Sequence, residues 1–320
     1  MMRRGFFLFL FLFLLSSANA FVLYGHRGAR GLKPENTLPA YKKALAIGVD
    51  YVDMDVVMTR DHRIVVCHDL TLNPNTTRDV DGHWVTASTI PVKKMLLSDL
   101  KKYDVGRIQP GTAYANLFNH QQAVDGTGIS TLIEVIEYVK KNAGDRVGFQ
   151  IEMKTDPTHP DLSPSPVLFA KKLAEILQME NIVGRTQVQA YDWRCLLALQ
   201  KINPEITTAY ITDHDQERLM QDKQAAIAGS WTAGRLLKNY QNSIPRMVKA
   251  LGGRYWDPED VEITAAQLAE AHHLGLKVVT WSWAEQQRCD VDVELTKKLI
   301  AMGVDGIITD RPDIIKLLKH

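Results

Sequence analysis

The chain has 320 residues, 45% of them hydrophobic, with 38 Lys and Arg against 37 Asp and Glu for a formal net charge of +1. That balance excludes the basic surface that nucleic acid or an anionic membrane attracts, and the apolar share excludes a disordered chain. Three cysteines, Cys67, Cys195 and Cys289, are too few and odd in number for a disulfide framework, and no pair has zinc-ligand spacing.

Residues 1–20 read as a signal peptide. Arg3 and Arg4 precede an apolar run from Phe6 to Leu15, followed by Ser16, Ser17, Ala18, Asn19 and Ala20, the order that secretion requires. The run is shorter than the ~20 residues that span a bilayer. Cleavage after Ala20 and a periplasmic or secreted protein with no stable membrane span are therefore expected. The rest, residues 21–320, is long enough for one large α/β barrel or two small domains.

Phe21 to Tyr24 predicts a short strand that runs into Gly25, His26, Arg27, Gly28, Ala29, Arg30 and Gly31. Glycines at a strand end let backbone approach a ligand, and an arginine fork matches phosphate oxygens; a plain glycine-rich turn is the alternative. Thr37 is placed to cap a helix over Leu38 to Ile47, with Pro39 in its first turn and Gly48 at its end.

Tyr51 to Met58 alternates, with Val52, Met54, Val56 and Met58 on one face and Tyr51, Asp53, Asp55 and Val57 on the other. A second β-rich run, Ile64 to Asp69, ends in His68 beside an acid. Two aspartates one strand-step apart are hard donors for Ca²⁺ or Mg²⁺, and an imidazole moves protons near neutral pH. Metal-assisted acid–base chemistry is one reading of this stretch, and a solvated sheet face is the other.

Leu70 to Gly148 breaks the rhythm and reads as an insertion, with short amphipathic pieces at Ser98 to Lys102 and Thr131 to Lys141. Phe149 to Lys154 then repeats the alternation, with Phe149, Ile151 and Met153 opposite Gln150, Glu152 and Lys154. Further strands are expected at Thr186 to Ala190, Ile206 to Ile211, Gly253 to Trp256, Lys277 to Trp283 and Gly306 to Thr309. Helices are expected at Pro166 to Met179, Trp193 to Lys201, Ala265 to Leu274, Val291 to Met302 and Pro312 to Leu318. Eight strand–helix units favour an α/β TIM-type (β/α)8 barrel with a small insertion between strands 2 and 3, over a doubly wound open sheet.

Five strings, HRGARGLKPENT, YVDMDVVMTRDHRIVVCHD, FQIEMK, VVTWSW and GVDGIITDRPDII, together resemble in that order the glycerophosphodiester phosphodiesterase family, most of all its exported, periplasmic-type members. SDLKKYDVG and ISTLIEVIEYV extend the likeness into the insertion. The resemblance implies a TIM barrel, one divalent cation, Ca²⁺ or Mg²⁺, and hydrolysis of deacylated phospholipids such as glycerophosphocholine to sn-glycerol 3-phosphate and an alcohol.

Carried over position by position, it implies His26 and His68 as the acid–base pair, Arg27 as the phosphate contact, and Asp53, Asp55 and Glu152 as metal ligands. Lys154 matches a lysine that offsets phosphodiester charge, Trp281 an aromatic beside the glycerol moiety, and Glu35 an acid that holds Arg27 or the first histidine. At the first ligand the family usually has glutamate, and this chain has Asp53. Two rivals are a related barrel, a phospholipase D-like lyase acting on sphingomyelin or lysophospholipid, and a non-catalytic barrel that binds a phosphate ligand. The nucleophile, water or the glycerol 2-hydroxyl, and the division of acid and base between the histidines stay open at this point.

Overall fold

A computed structural model describes residues 21–86, 90–213, 230–282 and 291–319. Residues 1–20, read above as a signal peptide, and Cys289 lie outside them, as does Trp283 of the VVTWSW string. The strands are β1 (Val22–Gly25), β2 (Tyr51–Met58), β3 (Ile64–Val66), β4 (Gly148–Met153), β5 (Thr186–Ala190), β6 (Thr207–Thr212), β7 (Tyr255–Pro258), β8 (Lys277–Trp281) and β9 (Gly306–Thr309). All except β3 are parallel, and β1 pairs with both β2 and β9, so the sheet closes into an eight-stranded barrel. β3 is a hairpin partner outside the ring, antiparallel to β2 with Val56 opposite Val66 and Met58 opposite Ile64.

The alternation in β2 and β4 explains how the barrel divides its residues. Val52, Met54, Val56 and Met58 join Phe149, Ile151 and Met153 in the main apolar core. Asp53 stands opposite Gln150 and Asp55 opposite Glu152, on the other face of each strand. The barrel interior is accordingly polar as well as packed. Gln150 Nε2 donates to Gln189 Oε1 at 2.9 Å and to Asp257 Oδ2 at 3.0 Å, and Gln189 Nε2 donates to Asp53 Oδ1 at 2.8 Å. This chain of buried amides links β2, β4, β5 and β7, and gives hydrogen-bond partners to groups that are costly to leave unpaired.

The helices described are α1 (Leu38–Ile47), α2 (Leu97–Leu100), α3 (Ala113–Leu117), α4 (Leu132–Ala143), α5 (Pro166–Met179), α6 (Trp193–Ile202), α7 (Ile244–Ala250), α8 (Ala265–His273), α9 (Val293–Met302) and α10 (Pro312–Ile315). α1 starts and stops where the sequence places it. The Thr37 side chain accepts from Ala40 N, and Gly48 takes the left-handed conformation at φ 86°. Among the described residues no helix is long and apolar enough to cross a membrane.

Several element boundaries shift by one to three residues from the sequence reading, and two differences bear on packing. α4 opens with a capping box between Thr131 and Glu134 and sends Leu132, Val135, Ile136 and Val139 into the main core with Tyr41 and Ala44 of α1. It is therefore the barrel helix between β2 and β4, and the segment outside the strand–helix repeat ends near residue 130. That segment has a small apolar cluster of its own, in which Leu72, Val92, Met95, Leu100 and Ile129 pack on Val57 and Val65 of the hairpin. β7 begins at Tyr255 rather than Gly253, because the Gly253 N–H turns back to Val248 O of the preceding helix at 3.0 Å and the ladder with β6 starts at Tyr255; Gly253 is also a point of close packing, where a Cβ would lie 2.6 Å from Val248 Cγ1.

Candidate active site

The loop after β1 is built by its backbone. Gly28 sits at φ 87°, and a Cβ there would lie 2.7 Å from the Ala40 Cβ, so only glycine lets the loop rest on α1. Arg27 itself is left-handed at φ 48°, an unfavourable state for a side-chain-bearing residue. It is held there from β2: the Arg27 N–H donates to Asp53 Oδ2 at 3.1 Å, and the Gly28 N–H to Asp53 O at 3.1 Å.

This turn aims Arg27 at a row of acids. Its Nη1 donates to Glu35 Oε1 at 2.7 Å, and its Nε lies 3.1 Å from Asp55 Oδ2, an ion pair whose angle falls short of a hydrogen bond. Asn36 Nδ2 donates to the same Asp55 oxygen at 2.8 Å, while Lys154 Nζ lies 3.1 Å from Asp55 Oδ1 and also bonds Glu152. Burial works to raise the Asp55 carboxyl, but Lys154 and then Arg27 outweigh it and hold it well below the carboxylate range. Burial and the neighbouring Asp55 charge push Asp53 the other way, well up.

Each histidine is held by a carboxylate. His26 Nδ1 lies 2.7 Å from Asp310 Oδ1, at the end of β9, and Arg30 grips the same acid through Nε to Oδ1 at 2.8 Å and Nη2 to Oδ2 at 2.7 Å. His68 Nδ1 lies 2.7 Å from Asp69 Oδ1, and Asn73 Nδ2 donates to Asp69 Oδ2 at 2.7 Å. The insertion completes this corner. Arg30 lies 4.5 Å over the Phe118 ring and donates to the Tyr114 hydroxyl, which in turn donates to Glu35.

A cavity of about 550 Å³ opens above these groups. His26, Arg27, Arg30, His68, Glu152 and Lys154 line its ionic wall, and Tyr191, Ile211, Trp231 and Trp281 line an apolar one. Tyr191 and Trp281 meet at 5.9 Å, nearly edge to face, and Tyr191 hydrogen-bonds Asp213. Of the nine residues picked from the sequence, His26, Arg27, His68, Glu152, Lys154 and Trp281 border one cavity, and Glu35 reaches it through its bond to Arg27. Asp53 and Asp55 stand behind that wall, each only 2% exposed.

The three carboxylates suit a hard divalent cation by donor type, and burial together with Asp55 raises both Asp53 and Glu152, a crowding of negative charge that a cation relieves. In the geometry described, Lys154 bridges Asp55 and Glu152, and Asp53 accepts N–H groups on both oxygens. Among the described residues, one ligand atom from each of three side chains gathers within 4.8 Å only at Asp79, Asp81 and His83 in the insertion. That group is an exposed turn in which Asp79 Oδ1 accepts the Asp81 and His83 amides.

The family model for the glycerophosphoryl diester phosphodiesterase family matches residues 26–314, from the first histidine past Asp310. The chain belongs to that family. Its similarity to a glycerophosphodiester phosphodiesterase from Caldanaerobacter subterraneus is 27% identity over 300 residues, 93% of this chain and 98% of that one. A solved structure from Silicibacter pomeroyi DSS-3, assigned to the glycerophosphoryl diester phosphodiesterases, superposes with a TM-score of 0.81 at 28% identity, covering 94% and 93% of the two chains. A phosphodiesterase from Oleispira antarctica, solved with sn-glycerol-3-phosphate, shares the fold at a TM-score of 0.64 and 20% identity over 93% and 96%. The chain is thus a phosphodiesterase of the glycerophosphodiester class, built on the barrel the sequence called for.

Within this phosphodiesterase site, Arg30, Asp310, Tyr114 and Gln189 were not singled out from the sequence. Arg30 carried a faint signal, one helical turn beyond His26 in HRGARG, and Asp310 lies inside the quoted TDRP string. Tyr114 sits in a polar stretch whose local pattern gives no sign of the site.

Proposed function

We propose that the chain hydrolyses glycerophosphodiesters such as glycerophosphocholine to sn-glycerol 3-phosphate and an alcohol, as a periplasmic or secreted enzyme carrying one divalent cation. The observation that supports this most is that two carboxylate-bound histidines border the same cavity as Arg27 and Lys154. With Nδ1 of each ring held by an aspartate, Nε2 is the nitrogen left for substrate. Arg27 and Lys154 offset the charge that builds on the phosphoryl oxygens. One histidine takes the proton of the nucleophile, water or the glycerol 2-hydroxyl, and the other donates to the leaving alkoxide. Asp53, Asp55 and Glu152 are the residues that would hold Ca²⁺ or Mg²⁺, which supplies Lewis-acid polarisation of a phosphoryl oxygen when bound. The Tyr191–Trp281 corner offers the glycerol carbons an apolar face.

The test is an assay of the protein lacking residues 1–20 on glycerophosphocholine and glycerophosphoethanolamine, with and without chelator, reading glycerol 3-phosphate. A lysophospholipid and sphingomyelin arm followed by ³¹P NMR detects the cyclic phosphate of the lyase alternative. Release of cyclic phosphate from those lipids, with no turnover of glycerophosphocholine, would replace this reading by the lyase one. N-terminal sequencing of protein recovered from outside the cytoplasm tests export, and retention of Arg3 there would defeat cleavage.

A further inference from the structure

We infer that Gln189 is a positioning residue for phosphate binding: through Asp53 it holds the left-handed turn that presents Arg27, and Gln150 and Asp257 decide which way its amide points. The inference rests on the phosphodiesterase reading, which gives Arg27 its phosphate, and adds a device in the barrel core that the reading does not use.

The device starts far from the phosphate. Asp257 on β7 and Gln150 on β4 are fully buried, and Gln189 on β5 is 3% exposed. Gln150 Nε2 donates to Asp257 Oδ2 at 3.0 Å and to Gln189 Oε1 at 2.9 Å, so both of its N–H bonds are used. With its oxygen taken as the acceptor, Gln189 directs Nε2 at Asp53 Oδ1, 2.8 Å away. A Gln189 amide turned over would set its oxygen against Asp53 and its nitrogen against the Gln150 nitrogen, two mismatches between buried groups. Donation therefore runs one way, from Gln150 to Gln189 to Asp53. Among the described residues, Gln150 Oε1 and Asp257 Oδ1 are left without a hydrogen-bond partner. Burial and then the charge of Asp53 push the Asp257 carboxyl well up, and a neutral acid keeps one oxygen as acceptor for Gln150 while the other becomes a donor.

What the chain of amides fixes is the plane of one carboxylate. With Oδ1 of Asp53 on Gln189, Oδ2 stays on the Arg27 N–H at 3.1 Å. The Asp53 carbonyl takes the Gly28 N–H at 3.1 Å, so two consecutive amides of the turn end on one residue of β2. Arg27 lies at φ 48°, a conformation that a residue with a side chain keeps only where its surroundings over-determine it. Without the Gln189 donor the carboxylate is free to rotate, and the Arg27 amide loses a fixed acceptor. The guanidinium above it, on Glu35 at 2.7 Å and beside Asp55 at 3.1 Å, is then presented less accurately. Of the three links, Gln189 alone borders the cavity.

The experiment compares wild type with Gln189→Met, Arg27→Met and the double variant on glycerophosphocholine. Methionine keeps the length of glutamine and removes the donor. Gln189→Met is expected to lose roughly tenfold in kcat/KM, mostly through KM. Because the residue acts through Arg27, the same substitution should cost little once Arg27→Met is present. Amide hydrogen exchange in chelated protein gives a readout apart from activity: the Arg27 and Gly28 amides should exchange about tenfold faster or more in Gln189→Met, with those of α1 unchanged. Losses that multiply in the double variant would overturn the inference, as would unchanged exchange at Arg27 and Gly28. A kinetic defect that vanishes at saturating Ca²⁺ would also overturn it, because Gln189 would then serve the cation and not the turn. Should Gln189→Met not fold, exchange in wild type decides, since Arg27 and Gly28 amides as unprotected as an exposed loop contradict the inference directly. Wild type that turns over neither glycerophosphocholine nor glycerophosphoethanolamine would instead defeat the phosphodiesterase reading, and the exchange comparison would still test the turn.

Discussion

Asp53 Oδ2 accepts the backbone N–H of Arg27 at 3.1 Å, so a carboxylate proposed as a metal ligand also pins the strained residue of the histidine loop. Its other oxygen accepts from Gln189 Nε2 at 2.8 Å, which ties it into the buried amide chain of the barrel. A side chain one methylene shorter than glutamate stays low enough in the barrel to make both contacts. Asp53 thus belongs to the framework of the loop as well as to the set of candidate metal ligands.

Asp53→Asn is expected to cost stability even without metal. An asparagine has one acceptor oxygen and one donor NH₂, so one of the two N–H groups now served by Asp53 would face another donor. Such a buried mismatch costs roughly 1–3 kcal/mol. The check is denaturant unfolding of the metal-free variant against wild type, and equal midpoints would show that the Arg27 amide does not depend on this carboxylate.

Removal of the divalent cation is expected to abolish turnover and to lower the melting temperature. Burial and Asp55 raise Asp53 and Glu152, so the acids repel one another when only Lys154 and Arg27 balance them, and a cation that binds the folded state alone stabilises it by mass action. Titrating Ca²⁺ and then Mg²⁺ into chelated protein should restore activity and melting temperature over the same concentration range. Asp53→Glu should keep activity with a changed preference between the two ions. Full activity in excess chelator would remove the metal from the mechanism.

The barrel was readable because its evidence is local. Alternation in Tyr51 to Met58 and Phe149 to Met153 carries the inward and outward faces, and the structure pairs Asp55 with Glu152 as that parity requires. The histidine partners were much less readable, and the reason is distance along the chain. Asp310 is 284 residues from His26, and only closure of β1 on β9 brings it there. Tyr114 arrives from an irregular insertion, where no periodicity announces which side chain will turn inward. The amphipathic run at Thr131 to Lys141 marks a helix in the sequence, but only its packing with Tyr41 and Ala44 of α1 assigns it to the barrel rather than to the insertion.

Tyr114→Phe should weaken substrate binding more than it slows chemistry. The hydroxyl links Arg30 to Glu35, and Glu35 takes the Nη1 bond of Arg27, so its loss leaves Glu35 less firmly held and, through it, the guanidinium expected to meet phosphate less well placed. A several-fold rise in KM is expected, with stability lower by about 1 kcal/mol for the lost hydrogen bonds. Steady-state kinetics on glycerophosphocholine supply the check, and a fall in kcat at constant KM would place the hydroxyl in the chemical step instead.

The last prediction concerns acid. Burial pushes His26 from its ordinary 6.5 down to about 4, with Asp310 opposing the shift and Arg30 reinforcing it. Between these values the unfolded chain holds a proton that the folded chain does not, so protons favour unfolding there. The contribution of His26 is therefore intact above its unfolded value and is lost as pH falls from 6.5 toward about 4, to a total of ~3 kcal/mol at most. Asp310 acts at lower pH. Burial alone would raise its carboxyl, but Arg30 and then His26 hold it well below the carboxylate range, so its share is present above the ordinary aspartate value and lost in stronger acid. Urea unfolding of wild type and His26→Gln between about pH 7 and 4.5 separates the two, because glutamine does not titrate. The variant should show the shallower loss of stability across that window, and parallel curves would mean that the folded protein does not hold His26 neutral there.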